Sequence, residues 1–429
     1  MLARFALYGF LKNQRYFEPF MILALRARGL SFSQIGLLIG FREICINILE
    51  IPSGAVADVA GRRRCMILAF VAYIASFAVF ASAPGSPDRW PGPFWPLLGA
   101  MLLFAVGEAF RTGTHKAMIF DWLARQNRRD EKTRVYGFTR SWSKLGSAIS
   151  VVIAAGLVLT VEVENYRWVF WLSILPYAVN VVNFLTYPPV LDGPGRSATP
   201  PAVPGRKRRS VRRVATTTWA SFVRAMRHRP LRRALGESMA YEGVYKSTKD
   251  YIQPLLKLAA VGLPVLLWLD DRQRTALLVG AAYTVLYVAS SYASRHAHVL
   301  SRRAGSDARG AVWVWAMTAG GFAAMTAGLL AGIPALAIAA FMGLAMLQNF
   351  WRPIIVGRVA DETDDAQSAT VLSIESQGKS VIAVVIAPLL GLAVDVTGRW
   401  AGPSMRFLPV AALGLVVAAV MLGRGSATN

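Results

Sequence analysis

The stretch VGEAFRTGTHKAMIFDW, residues 106–122, sets Glu108, Arg111, His115, Lys116 and Asp121 in a run that is otherwise largely apolar. A carboxylate, a guanidinium and an imidazole can hold a polar solute, pass a proton or neutralise one another. On a helix, Glu108, Arg111 and His115 fall within about 60° of arc, a single stripe. The same periodicity puts Glu242, Tyr245, Lys246 and Lys249 on one face, and Glu375 about 40° from Lys379. Near the start of the chain, Lys12, Arg15 and Glu18 follow on a drifting face. Glu108, Glu242 and Glu375 are candidate proton carriers, because a carboxyl between a cation and an apolar wall changes its proton affinity as its surroundings change. His115 reads either as a second titrating group or as a hydrogen-bonding wall residue. The competing reading of every such pair is structural glue between helices. A charge at mid-depth in a bilayer costs about 2.5–3.5 kcal/mol on insertion scales, so each should face a partner or a wet space.

A bilayer is implied by the elements that must carry these residues. The chain has 429 residues, 55% of them hydrophobic, with mean hydropathy +0.42, more apolar surface than one soluble core can hide. A span needs about 20 mainly apolar residues. The pattern predicts twelve, near 4–26, 35–57, 65–83, 96–123, 136–160, 167–188, 234–256, 275–294, 311–330, 335–357, 369–391 and 406–423. The first and seventh are the least regular because of their charges. Loops 61–64, 124–134, 295–309 and 358–368 carry 13 Lys/Arg in 41 residues, whereas the opposite connections carry 8 in 67. The basic side, and both termini with it, is expected to be cytoplasmic in a bacterial-type inner membrane. The N-terminal residues lack the order of a removable signal and read as the first span.

Residues 189–230 divide the chain into bundles at 1–188 and 231–429. This connection passes from a Pro/Gly-rich stretch into RKRRSVRR, and 206–229 read either as a basic amphipathic helix on anionic lipid or as a solvated linker. The net charge of +23 therefore reads as topology, not nucleic-acid binding. Cys45 and Cys65 suggest neither a disulfide framework nor a metal site. The sequence SIESQGKS, 373–380, ends like a nucleotide loop but has Ser373 where that motif needs Gly. No cofactor and no enzymatic motif is expected; the driving force would be a gradient of protons or another ion.

One motif is specific. EIPSGAVADVAGRRR, residues 50–64, carries Gly54, Asp58, Gly61, Arg62 and Arg63 at the spacing G-x-x-x-D-x-x-G-R-[RK]. This resembles the loop between spans 2 and 3 of the major facilitator superfamily. The resemblance implies an all-α, polytopic membrane fold of twelve helices in two pseudo-symmetric six-helix bundles, rocking around a charged central cavity. It also implies a conformational latch of Gly54, Asp58, Gly61, Arg62 and Asp121. Spans 1, 4 and 7 would then begin three of the four three-helix repeats, and these are the charged ones; in repeat-built transporters the site lies near such an interface. The expected cavity residues are Arg15, Glu18, Glu108, Arg111, His115, Glu242, Tyr245, Lys246, Lys249, Glu375 and Lys379. Two family features differ here: Arg111 is followed by Gly113 without the usual R-x-x-x-G spacing, and span 5 lacks the Gly-Pro motif of drug antiporters. The expected function is a monomeric, proton-coupled secondary transporter of a small polar solute, anionic or zwitterionic. The alternatives are a multidrug/proton antiporter and, from another class, a non-transporting sensor or lipid-binding protein on the same scaffold.

Overall fold

The computed structural model describes residues 1–85, 92–128, 131–160, 166–192, 226–262, 264, 266–363 and 365–426. Among the described residues the chain is helical, with no strand. Ten segments, Phe32–Glu50 the first and Met405–Arg424 the last, are long and apolar enough to cross a membrane. The other two expected spans are interrupted. The first comprises α1 (Leu2–Lys12), an irregular stretch, a 3₁₀ turn Glu18–Phe20 and α2 (Met21–Ala27). The seventh comprises α9 (Arg229–Thr248), a 3₁₀ turn Lys249–Tyr251 and α10 (Ile252–Gly262). The remaining helices are α3 (Phe32–Ala60), α4 (Arg62–Ser82), α5 (Phe94–Arg111), α6 (Thr114–Arg125), α7 (Lys132–Thr160), α8 (Arg167–Leu185), α11 (Asp271–Ala304), α12 (Asp307–Leu330), α13 (Pro334–Asp361), α14 (Asp365–Thr397) and α15 (Leu408–Ser426). The connection expected at 206–229 lies mostly outside the described residues, as does the side chain of Asp58.

Helix ends inside a bilayer must find partners for their open carbonyls, because no water is there to take them. The breaks meet this with side chains. At the end of α1, Asn13 Nδ2 donates to Gly9 O at 2.7 Å and the Tyr177 hydroxyl to Lys12 O at 2.9 Å. Span 4 also breaks, between α5 and α6, where Gly113 takes φ +81°, a conformation that disfavours any side chain. Thr114 Oγ1 there donates to Phe110 O at 2.8 Å. At the end of α9, Ser247 and Thr248 donate back to Gly243 O and Val244 O, each at 2.9 Å.

The chain forms two compact units, Met1–Glu18 with Phe41–Thr216, and Pro19–Gly40 with Thr217–Asn429. In the first, Phe70, Tyr73, Phe77 and Phe80 run along the buried side of α4. They meet Phe17, Phe104, Phe170, Tyr177 and Phe184 in edge-on, tilted and stacked contacts of the kind that add to burial. In the second, Tyr241 stacks on Trp351 at 4.5 Å with Trp315 edge-on to both. The head of α3 also packs in this unit. The Asp395 carboxylate, on α14, accepts from the backbone N–H of Phe32 at 3.1 Å and of Ser33 at 2.7 Å. The Phe32 ring lies under the guanidinium groups of Arg26 and Arg406, at 4.7 and 4.9 Å. A Cβ on Gly36 or Gly391 would strike the facing backbone, so α3 and α14 touch main chain to main chain.

Candidate functional site

Each unit holds a charge cluster, half-buried in the first and more deeply buried in the second. In the first, Glu108 and Arg111 stand on the last turn of α5, and Arg15 lies in the irregular stretch after α1. The Arg111 guanidinium binds Glu108 Oε1, the Tyr73 hydroxyl donates to Glu108 Oε2, and Arg15 Nη2 lies 3.5 Å from that same oxygen. Arg111 also reaches the hydroxyls of Tyr73 at 3.2 Å and Tyr8 at 3.4 Å. His115 opens α6 beyond the Gly113 break. Its ring stacks on Tyr8 at 3.7 Å, and its Nε2 has no hydrogen-bond partner among the described residues. Arg15 Nε is similarly unpartnered. Lys12 ends α1, and among the described residues its ammonium makes no ion pair. Three cations therefore stand against two carboxylates, Glu108 and, half-buried on the following turn, Glu18, which acts on both Lys12 and Arg15.

Glu108, Arg111 and His115 do not share one continuous helix, because the chain breaks at Thr112–Gly113. The three groups still assemble, through the tyrosine pair. Tyr73 was not anticipated as a site residue. It is the one tyrosine of α4, and its ring meets Phe104 of α5 at 5.1 Å.

In the second unit, Glu375 is fully buried and accepts from Ser238 Oγ at 2.9 Å and from Arg352 Nη1 at 2.7 Å. Its ion-pair partner is thus Arg352 on α13, not Lys379 one turn away on its own helix. Glu242 is 7% exposed, and both its oxygens accept from Gln348 Nε2, at 3.2 and 3.4 Å. No ion pair to Glu242 is formed among the described residues. Lys246 Nζ reaches Ser380 Oγ at 3.0 Å, and Lys249 lies 3.5 Å from Asp250. Tyr245 points to a different place from Glu242 and Lys246: it lines a cavity against α12, α13 and α15. Among the described residues, no group of His, Cys, Asp and Glu is arranged to hold a metal ion.

At the motif loop, Gly61 takes φ +103° as the chain turns from α3 into α4. The next amide but one, Arg63 N, donates to Asp192 Oδ1 at 2.9 Å, and Arg63 Nη1 to Tyr187 O at 3.0 Å. Asp192 is thus an acid at the positive end of α4, the place that favours one. It escaped the sequence reading because it stands at the head of the long connection. Asp121 pairs with Arg125 on its own helix at 3.1 Å. Gly54 has open space around its α-carbon.

Comparison with known proteins bears on this architecture. No curated protein matches the chain in sequence. Among solved structures, the nucleoside transporter NupG superposes with a TM-score of 0.71 at 12% identity, over 98% of this chain and 96% of that one. A POT family transporter in complex with 5-aminolevulinic acid gives 0.68 at 14%, over 100% and 96%. A D-xylose-proton symporter gives 0.69 at 12%, over 98% and 95%. Likeness at this identity speaks to the fold. The sequence model of the Major Facilitator Superfamily matches residues 2–306. With that match, the motif loop and the shared helical fold, the chain belongs to the major facilitator superfamily, as an integral membrane transporter and not an enzyme.

Proposed function

We propose that this transporter is a proton-coupled secondary carrier of a small anionic or zwitterionic solute, working by alternating access. The observation that carries the reading is the half-buried group of Lys12, Arg15 and Arg111, three cations to the two carboxylates of Glu108 and Glu18. Cations withdrawn from water are stabilised by a matching anion, and a solute carboxylate or phosphate supplies one. The unpartnered Arg15 Nε and His115 Nε2 are further polar contacts for such a solute. Structures of the same fold whose names describe transport of nucleosides and of xylose with protons support a polar cargo.

Proton coupling is assigned to Glu242. Glu108 is ion-paired to two arginines and Glu375 to one. Glu242 is buried with a neutral amide as its hydrogen-bond partner, so it is free to be protonated and released. The driving force is a proton gradient, with no resident cofactor. The distribution of Lys and Arg supports an inner-membrane location with cytoplasmic termini. Gly54, Asp58, Gly61, Arg62 and Asp121 are kept as the proposed latch of one transport state, and a monomer as the working unit.

The test is counterflow in proteoliposomes with a panel of carboxylates, amino acids, phosphate esters and neutral sugars. Saturable exchange of an anionic or zwitterionic solute is expected, lost in Arg111→Gln. Glu242→Gln should keep exchange and lose accumulation driven by a pH gradient. Binding without flux for every solute would replace this reading with that of a sensor.

A further inference from the structure

Helix α7 exposes two kinds of surface. Phe138, Trp142, Leu145, Ile149 and Val152 are all exposed, and they fall about 160° to 240° around the axis from Tyr136, an apolar arc suited to acyl chains. Tyr136, Arg140 and Lys144 are exposed as well, on three successive turns within about 80° of arc and about 12 Å of rise. Cations on a membrane helix that are turned away from its lipid arc need water or an anion. Lys116, exposed on α6, widens the strip: its Nζ stands 5.5 Å from the ring centres of both Phe120 and Tyr136. Ring faces attract an ammonium without neutralising it.

The chain supplies no counter-charge here. Lys116, Arg140 and Lys144 form no ion pair among the described residues. The acids of α6 and of the turn into α7, Asp121 and Glu131, are engaged by Arg125 and Arg128. Lys144 is acted on by Arg140 and by no carboxylate. The strip also leads somewhere. Two residues beyond Lys144, Gly146 O accepts from Gln14 Nε2 at 3.1 Å, which sets the neighbouring Arg15 and its Glu108 cluster at the inner end. We infer that Lys116, Arg140 and Lys144 form a cation-lined approach that gathers anions and turns cations away before they reach that cluster, an inference that rests on the reading of an anionic or zwitterionic solute. Like charges along a low-dielectric wall concentrate ions of the opposite sign and raise their arrival rate.

The experiment reads the potential at a thiol, with no transported solute present. In the full-length protein in nanodiscs, Cys45→Ser and Cys65→Ala remove the native thiols. Ser147→Cys then places one at the inner end of the strip, about 20° around the axis from Tyr136. Its reaction rates with an anionic reagent, sulfonatoethyl methanethiosulfonate, and a cationic one, trimethylammonioethyl methanethiosulfonate, are compared with those of mercaptoethanol. The anion-to-cation rate ratio is expected to exceed that of the free thiol by about tenfold or more at low salt, and to decline as salt is raised. Arg140→Gln with Lys144→Gln should lower it about threefold or more, whereas Arg140→Lys with Lys144→Arg should preserve it. A ratio equal to that of the free thiol, a ratio unmoved by the paired glutamine substitutions, or an introduced thiol that reacts with neither reagent would overturn the inference. Failure of the carrier reading would appear instead in counterflow, with this ratio unmoved.

Discussion

Replacing Asp395 with alanine should loosen the head of α3. The first turn of any helix leaves four backbone donors open, and here the Asp395 carboxylate takes two of them, from Phe32 at 3.1 Å and Ser33 at 2.7 Å. An acid in this position also meets the positive end of the helix. Arg406, 3.9 Å from the same carboxylate and stacked on Phe32, ties the two contacts together. Caps of this kind are worth about 1–2 kcal/mol. Losing that much raises the population with the turn open by roughly 5- to 30-fold. Hydrogen exchange of the Phe32 and Ser33 amides, read by mass spectrometry on the protein in proteoliposomes, should accelerate by that factor. Asp395→Asn keeps one acceptor oxygen and should show a smaller effect. Unchanged exchange in the alanine variant, or a larger change in the asparagine one, would refute the cap as the element holding this helix start.

Two further outcomes are expected. Tyr73→Phe removes the hydroxyl that donates to Glu108 and accepts from Arg111, which should destabilise the purified protein by about 1–3 kcal/mol in thermal unfolding; no loss of stability would mean that the hydroxyl is dispensable to the cluster. In the loop after α6, Arg128 binds Glu131 through Nε at 2.6 Å and Nη2 at 2.8 Å, holding that carboxyl below the usual carboxylate range. Because the folded form has the lower proton affinity, the ordering this pair provides is present above an ordinary Glu pKa of about 4.3 and fades as pH falls below it; exchange of the Glu131 amide should show that dependence, and Glu131→Gln should abolish it.

The pairing of Glu108 with Arg111 was legible because both stand on one turn of one helix, where three-residue spacing is a contact. The assignment of Glu375 to Lys379 by the same rule named a neighbour, but the carboxylate pairs with Arg352 across to another helix. Periodicity within a segment carries no information about such a partner. Tyr245 shows the other limit. It lies about 60° around the axis from Glu242 but only about 40° from Tyr241, and it falls with that residue on the wall of the apolar cavity. The charges of spans 1 and 7 marked them as irregular, yet the position of each break depends on Asn13, Tyr177, Ser247 and Thr248 capping carbonyls. Those are tertiary and local hydrogen bonds that composition does not display. The break at Gly113 had a sign in the sequence, a glycine between Arg111 and His115, yet the helical stripe reads straight across it, because an apolar span with one glycine keeps its periodicity.

The carboxylate of Asp192 has a practical consequence for engineering. It secures the turn at Gly61 from a point upstream of the long basic connection. A reporter domain or affinity handle spliced in after this residue would leave that fastening untouched, whereas one spliced in before it would unmoor the very loop that identifies the family.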